Sequence, residues 1–155
     1  MSEERNNIII NPDVRDKIIK LESKIRQIPG HLENDCFPLT HTFTPGLYIR
    51  QITMPKGYLI VSKIHKYEHP YFVLSGDVSV LTEQGVVRIR GPFSGITPAG
   101  TKRVLYIHEE TVWTTVHATK ETDIEKIEEE IIAKSFDEIL PDYVKKYFST
   151  EGALL

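Results

Sequence analysis

The chain contains little cysteine, no long apolar run and no excess of basic residues. Its single cysteine, Cys36, leaves no partner for an internal disulfide, which is typical of a reducing compartment. No apolar run approaches the ~18 residues that a membrane-spanning helix needs, and the polar N-terminus lacks the apolar core of a signal peptide. The net charge of −3 provides no global basic field for nucleic acid. These absences predict a cytoplasmic protein that binds neither membranes nor nucleic acids.

The size and composition predict one globular domain, 1–155. A chain of 155 residues is long enough to bury a sizeable core, and its 40% hydrophobic and 26% charged residues are ordinary for a globular protein. Cys36 lies in the segment NDCFP, which carries no catalytic signature. We therefore expect a half-buried thiol there rather than a nucleophile.

The N-terminal part, residues 1–46, predicts a helix followed by a connecting loop. Asn11 and Pro12 are suited to the cap and first turn of a helix, and Pro29-Gly30 ends the pattern. Residues 31–46 are rich in Pro, Asn and Thr, which is typical of a loop. The apolar residues that recur at three- and four-residue spacing are Val14, Ile18, Leu21, Ile25 and Ile28.

Residues 47–118 predict a mainly β domain. Short β-rich runs alternate with turn signals such as MPKG, Ser75-Gly76-Asp77 and Pro98-Ala99-Gly100, and no helical pattern interrupts them. Eight such runs indicate a small barrel or jelly roll rather than a parallel sheet. The runs are LYIRQI, YLIVSKIH, YFVLS, VSVLT, VVRIR, FSGIT, RVLYI and VWTTVH.

The C-terminal part, residues 119–155, returns to a helical pattern. Thr122 and Glu125 form a capping-box signature before an isoleucine stripe. A second helix is predicted from about Phe136 to Phe148, with a break at Pro141. The run of glutamates between them is typical of a solvated helix face.

Two segments resemble the signature motifs of the cupin superfamily. They are GYLIVSKIHKYEHPYFVLSG, residues 57–76, and PAGTKR, residues 98–103. Gly76 and Pro98-x-Gly100 match the scaffold positions of the motifs, while Gly57 lies two residues early. The resemblance covers about half of the chain. It implies a cupin-type double-stranded β-helix, a jelly-roll barrel with one site inside, flanked by an N-terminal helix and C-terminal helices.

The residues at the motif's metal-ligand positions are altered. Where the resemblance places three His and a Glu, this chain has Lys63, His65, His69 and Arg103. Two of the usual ligands are therefore replaced by permanent cations. Strand alternation places His69 on one face with Tyr71, and His117 on one face with Trp113. Parity alone does not decide whether that face of the last strand or Val112-Thr114-Val116 points inward.

These cations favour a site for a small anion. Arg103 offers bidentate hydrogen bonds and Lys63 a point charge, and an uncompensated cation in a barrel is expected to hold an anionic ligand. The alternative is that both cations reach solvent or pair with Glu109 and Glu110. The predicted ligand-binding set is Lys63, His65, His69, Tyr71, Arg103 and His117, with no catalytic residue and no cofactor.

The same histidines support an alternative, a metal-dependent enzyme of the isomerase or dioxygenase type. His65 and His69, with His117 as third ligand, would hold a divalent transition metal, and Glu68 or Tyr71 would shuttle protons. The objection is electrostatic, because Lys63 and Arg103 would repel a dication. A further alternative is that His69, which precedes Pro70, only orders a turn.

The segment VWTTVHATKETDIEKIEEEIIA, which follows PAGTK, is similar to small cupin-like proteins of tailed bacteriophages. That resemblance implies a host bacterial cytoplasm and a module that sequesters a nucleotide signal, although a small enzyme or a structural virion component stays open. Tyr58, Ile60 and Ile64 alternate opposite His65, so both faces of that strand are apolar. A covered exterior is typical of cupins that dimerise, and we expect a homo-oligomer.

Overall fold

A computed structural model of the chain describes residues 11–32 and 36–139, with the side chains of residues 137 and 139 left out. The described part contains two α-helices, nine strands and one short 3-10 helix. The helices are α1 (Pro12–Gln27) and α2 (Ile124–Ile131), and the 3-10 helix covers Phe136–Ile139. The strands are β1 (Leu39–Thr44), β2 (Leu47–Met54), β3 (Leu59–Val61), β4 (Ile64–His65), β5 (His69–Thr82), β6 (Gly85–Arg90), β7 (Phe93–Thr97), β8 (Val104–Ala118) and β9 (Ile132–Ala133).

Seven of these strands form one antiparallel sheet around two long strands, β5 and β8. The order is β1-β2-β8-β5-β6, with β3 also paired to β8 and β7 also paired to β5. The N-terminal part of β8 pairs with β3 and the C-terminal part with β2, while β5 pairs with β7 and then with β6. Two halves of the sheet are thus joined by the same two strands.

The two halves meet where β5 is irregular. Its register against β8 shifts between Val73 and Val78, and such bulges bend a strand and increase its twist. Gly76 lies in this stretch with a φ of +113°, and a Cβ there would lie 2.5 Å from the Thr111 Cα. Only glycine fits this close approach of two backbones.

The main core lies between the two halves. Val73 and Trp113 come from one half, and Val80 and Leu105 come from the other, yet all four belong to one buried cluster. Burial of such side chains stabilises the fold by roughly 1.5–3 kcal/mol each. The two halves of the sheet therefore pack against each other through one shared core.

The first helix begins as the sequence predicts. The Asn11 side chain accepts a hydrogen bond from the Val14 amide, and Pro12 occupies the first turn. The helix is held to the sheet by Arg15, which donates to Glu83 at 2.7 Å, while the Asn11 amide donates to the other oxygen of that carboxylate. The N-terminal end of α1 is therefore fixed to the turn between β5 and β6.

The second helix covers one end of the sheet. Ile127 and Ile131 pack against Tyr48, and the following β9 pairs with β4. The N-cap is Asp123 rather than the predicted Thr122, because the Asp123 carboxylate accepts from two amides of the first turn. Among the described residues, no helix combines the length and the apolar character that a membrane crossing would need.

The strand pattern departs from the predictions in three places. Part of the predicted loop 31–46 is β1, an exposed edge strand. The predicted run 58–65 is divided into β3 and β4 at Ser62 and Lys63. The two runs predicted on either side of Gly76 form one continuous strand, β5. The two runs predicted on either side of HEET form one continuous strand, β8, and HEET is part of that strand rather than a turn.

Three side chains also lie elsewhere than predicted. Cys36 is exposed rather than half-buried. Ile60 packs against the main core instead of facing outward, and Ile64 is covered by Ala133 and Phe136 of the same chain. The second C-terminal helix starts as a 3-10 turn at Phe136, and its predicted continuation to Phe148 lies outside the described residues.

Candidate functional site

Three histidines from three strands meet at one point inside the barrel. In the β5–β8 ladder Tyr71 lies opposite Thr115, so two further residues along the same faces bring His69 beside His117. The shorter strand β4 adds His65, which is fixed by the pairing of β4 with β9. The three histidines are far apart in the sequence, and the pairing register of the strands brings them together.

The imidazole rings of this three-histidine cluster are in mutual contact. The ring centroids of His69 lie 4.4 Å from those of His117 and 4.6 Å from those of His65, and the third pair is 5.6 Å apart. One ring nitrogen from each histidine lies within 4.8 Å of the other two. This spacing matches three imidazoles that point at a common centre.

The hydrogen bonds leave lone pairs directed into the cluster. His69 Nδ1 donates to the Tyr67 carbonyl at 3.0 Å, so its Nε2 is the unprotonated nitrogen. That Nε2 and His65 Nδ1 are both buried and have no hydrogen-bond partner in the described part of the chain. His117 Nε2 contacts the Thr115 hydroxyl at 2.9 Å. A backbone bond that orients one ring nitrogen while the other stays available is typical of a metal-bound histidine.

Burial keeps the three imidazoles neutral. Desolvation, followed by the neighbouring His69 and the guanidinium of Arg50, lowers the pKa of His117 to about 3. The pKa of His65 is held well below its usual range by the same burial, then by His69 and His117, and burial also lowers the pKa of His69. Neutral imidazole is the form that binds metal ions.

The donor set fits a divalent transition metal. Three neutral imidazoles suit Zn, Ni, Cu or Fe, and the two buried nitrogens without partners are costly unless something occupies the centre between them. We therefore identify His65, His69 and His117 as the residues that would hold such an ion. The predicted set of metal ligands is brought together, with His117 as its third member.

Arg103 is buried in the same interior. Its side chain donates to the Thr97 hydroxyl and lies 5.1 Å from the Tyr71 ring and 5.5 Å from the Trp113 ring. No carboxylate of the described residues lies within ion-pair distance of it, and burial lowers its pKa to about 10. At neutral pH it is still a cation, and its charge lowers the pKa of both His65 and His69.

The cluster opens into a cavity of about 780 Å³. His65, Thr115 and His117 line it, so the inward face of the last strand is the one that carries Trp113, Thr115 and His117. Six cationic side chains also line it, namely Arg26, Arg50, Lys63, Lys102, Arg103 and Lys134. The acidic side chains of the lining are Glu22 and Glu128.

The two glutamates are already paired with cations of the lining. Glu22 lies 2.6 Å from Lys102 and 3.2 Å from Arg26, and Glu128 lies 3.3 Å from Lys63. The cavity is therefore electropositive in a chain whose net charge is −3. An anion is the ligand that such a lining favours.

Two predicted site residues have roles different from the simplest expectation. Lys63 pairs with Glu128 rather than with Glu109 or Glu110, and its side chain is 39% exposed, so it lies at the rim of the cavity. Tyr71 stacks on Trp113, with ring centroids 4.7 Å apart, and is not part of the cavity lining. Glu68 is exposed. Tyr71 packs behind Trp113, which lines the cavity, while Lys63 lies at the solvent-exposed rim of the cavity.

Sequence reasoning missed Arg50 and Tyr48. Both line the cavity, and the Tyr48 ring stacks on His117 with centroids 5.9 Å apart. The signal was present, because Tyr48, Arg50 and Ile52 share one phase of β2 and Ile52 packs against the main core. An arginine in the apolar phase of a strand marks an inward-facing charge.

Comparison with known proteins reaches only the fold. No protein-family profile matches this chain, and no curated protein matches it in sequence. A cupin-2 domain protein from Shewanella frigidimarina is 9% identical, with 68% of this chain and 99% of that chain covered and a TM-score of 0.46. The Cnp3 cupin domain of Schizosaccharomyces pombe is 18% identical, with 66% and 76% covered and a TM-score of 0.47.

A third solved structure, a protein from Neisseria meningitidis, is 12% identical, with 64% of this chain and 95% of that chain covered and a TM-score of 0.46. The prediction of a mainly β fold with an N-terminal helix and a helix after the last long strand is confirmed by the antiparallel sheet and by α1 and α2. Nothing about ligand or activity is taken from these likenesses. The resemblance to bacteriophage proteins stays a prediction.

Proposed function

We propose that this chain is a cupin-type small-molecule-binding protein that holds a divalent transition metal on His65, His69 and His117 and takes an anionic ligand beside it. The observation that carries the proposal is the pair of buried imidazole nitrogens, His65 Nδ1 and His69 Nε2, that have no partner among the described residues. Leaving both unsatisfied would cost roughly 1–3 kcal/mol each. A bound ion removes that cost.

Three protein ligands leave coordination positions for a small molecule. A metal in such a site acts as a Lewis acid toward a bound oxygen. The chain's own residues bind and orient the ligand: Thr115 and Trp113 form the wall next to the histidines, and Arg103 contributes a positive charge on the same side. This arrangement suits ligand binding or metal-assisted turnover.

The nearby cations support an anionic ligand. A dication among neutral histidines, with the Arg103 guanidinium close enough to lower two of their pKa values, leaves an excess of positive charge in a buried space. Such charge is costly unless it is paired. A carboxylate or other oxyanion bound to the ion and to Arg103 would neutralise both.

A second candidate is a metal-free binding module for a nucleotide signal, of the kind implied by the resemblance to bacteriophage proteins. The excess of cationic side chains in the lining supports it. In that case Arg103 and Arg50 bind a phosphate directly, and the histidines only shape the pocket. Native mass spectrometry of the purified protein would then find an anion, no metal and the order of the predicted homo-oligomer.

The proposed metal site is tested by titration of chelator-treated protein with Co²⁺, with calorimetry for stoichiometry and visible absorption for coordination. We expect about one ion per chain in the unsubstituted protein and at least 100-fold weaker binding in H69Q and in H117Q. The matched control is H108Q, because His108 contacts Ser79 outside the cluster. Equal affinity in all four proteins, each checked for folding by circular dichroism, would refute the site.

A further inference from the structure

The cavity is divided into a polar inner end and an apolar outer part. The inner end is lined by His65 and His117 of the three-histidine cluster, with Thr115, Arg50 and Arg103. The outer part is formed by the end of α1, residues 28–32, Phe37 and β3. Its apolar side chains include Ile25, Ile28, Phe37, Tyr58, Leu59 and Ile60, and isoleucines of α2 and β9 line another wall of the cavity.

The apolar part is open rather than filled. Ile28, Tyr58 and Leu59 are 55%, 41% and 44% exposed although they border a cavity. Phe37 and Tyr58 pack edge to face, with ring centroids 5.0 Å apart, which gives this wall a fixed shape. Exposed apolar side chains gathered along one cavity mark a binding surface for an apolar group.

The size of the space excludes a bare inorganic anion as a ligand that fills it. A volume of about 780 Å³ lies within the range of roughly 300–1,000 Å³ that is typical of sites for small organic molecules. Arg50 and Arg103 lie at the inner end. Of the other four cations, Lys63 pairs with Glu128, Lys102 and Arg26 pair with Glu22, and Lys134 is exposed. A ligand with one compact negative group at the inner end and an apolar body in the outer part matches this distribution of cationic and apolar side chains.

We propose that the ligand is an amphipathic carboxylate, with its head group between Arg103 and the three-histidine cluster and its apolar chain or ring along α1 and β3. This inference rests on the proposed function, since it names the ligand class of the same site. A nucleotide fits less well, because with a phosphate bound at Arg103 its hydroxylated sugar would lie against Ile28, Leu59 and Ile60. Desolvating those polar groups against apolar walls is costly.

Tryptophan fluorescence can report ligand binding in this chain. Trp113 is the single tryptophan. It lines the cavity, with its ring 5.5 Å from the Arg103 guanidinium and stacked on Tyr71. Its fluorescence is measured during titration with four probes: octanoate, acetate, 1-octanol and adenosine monophosphate. Each titration is run on chelator-treated protein and again with Co²⁺, whose absorption is followed in the same sample.

We expect octanoate to bind at least tenfold more tightly than acetate, which lacks the apolar chain, and than 1-octanol, which lacks the charge. Each buried methylene contributes about a fourfold gain in affinity. In R103M the preference for octanoate over 1-octanol is lost. The matched control R88M keeps it, because Arg88 pairs with Asp77 on the surface.

Two results would overturn the inference: octanoate no tighter than acetate or 1-octanol, or adenosine monophosphate tighter than octanoate. The comparison of probes on the unsubstituted chain does not depend on any variant folding. Failure of the proposed metal site is seen separately, as the absence of Co²⁺ absorption. A protein that binds Co²⁺ but shows no octanoate preference refutes the ligand class alone.

Discussion

The rings of His69 and His117 lie 4.4 Å apart because the β5–β8 ladder places Tyr71 opposite Thr115. The two histidines are therefore held by the longest strand pair in the molecule rather than by loops. A site built on paired strands is preorganised, and a ligand that binds it does not need to order the chain first. Metal binding, pH and substitution should therefore act on stability and affinity without rearranging the strands that carry the site.

Metal binding should raise the melting temperature. An ion present at a hundredfold excess over its Kd stabilises a protein by about 2.7 kcal/mol, which for a domain of this size corresponds to roughly 5–10 °C. We expect Zn²⁺ to produce this shift in the unsubstituted chain, chelator to reverse it, and H65A to abolish it. Differential scanning calorimetry measures all three, and an equal shift in H65A would show that the ion binds elsewhere.

Acid should destabilise the fold through the buried histidines. In the unfolded chain each histidine titrates near its ordinary pKa of about 6.5, whereas burial lowers the pKa of His117 to about 3 in the folded chain. Between these values the unfolded chain binds a proton that the folded chain does not. The free energy of unfolding therefore falls as pH falls from about 6.5 to about 3, by up to ~1.4 kcal/mol per pH unit for this residue.

The variant H117Q isolates this contribution. It removes one titrating group, so its free energy of unfolding, measured by urea titration in the absence of metal, should depend less steeply on pH than that of the unsubstituted chain. The free energy of unfolding of the unsubstituted chain minus that of H117Q should decrease as pH falls from about 6.5 to about 3. Parallel curves would mean that the pKa of His117 is the same in the folded and unfolded chain, so that burial does not hold it neutral.

Much of the fold could be predicted from the sequence, because alternation is a direct consequence of strand geometry. The shared face of His69 and Tyr71 and that of Trp113 and His117 follow from parity, and all four residues are buried. The glycine of the first motif likewise marks a real constraint at the bulge of β5. These features depend only on local pattern.

The remaining differences arise where the local pattern is weak. Strand β1 was missed because its side chains are mostly exposed and give no apolar alternation. Ser75-Gly76-Asp77 was interpreted as a turn, although a bulge uses the same residue types. The motif position of Lys63 predicts an inward cation, but the strand is interrupted at Ser62 and Lys63 and this side chain lies at the rim. Arg50, on an uninterrupted strand, is the better-placed cation.

Substitution of Gly76 should test the bulge that joins the two halves of the sheet. In G76A the new methyl group would meet the Thr111 backbone at 2.5 Å, in addition to the strain of a positive φ. Gly85 has a similar φ of +123° but open space around it, so G85A carries the strain alone. We expect G85A to cost about 1 kcal/mol and G76A at least 3 kcal/mol in urea unfolding. Equal costs would mean that the backbones at the bulge separate easily.

Lys63 and Arg103 should differ sharply in their effect on anion binding. The Lys63–Glu128 pair is about 40% exposed on both sides, and such surface pairs contribute between 0 and about 1 kcal/mol. We therefore expect K63M to change octanoate affinity less than threefold, where R103M lowers it at least tenfold. Both affinities come from the Trp113 fluorescence titration, and E128Q checks whether release of Lys63 from its partner strengthens binding. If K63M weakened octanoate as much as R103M, the rim lysine would belong to the anion site, as the sequence pattern first indicated, and the head group would lie nearer the mouth of the cavity than the three-histidine cluster.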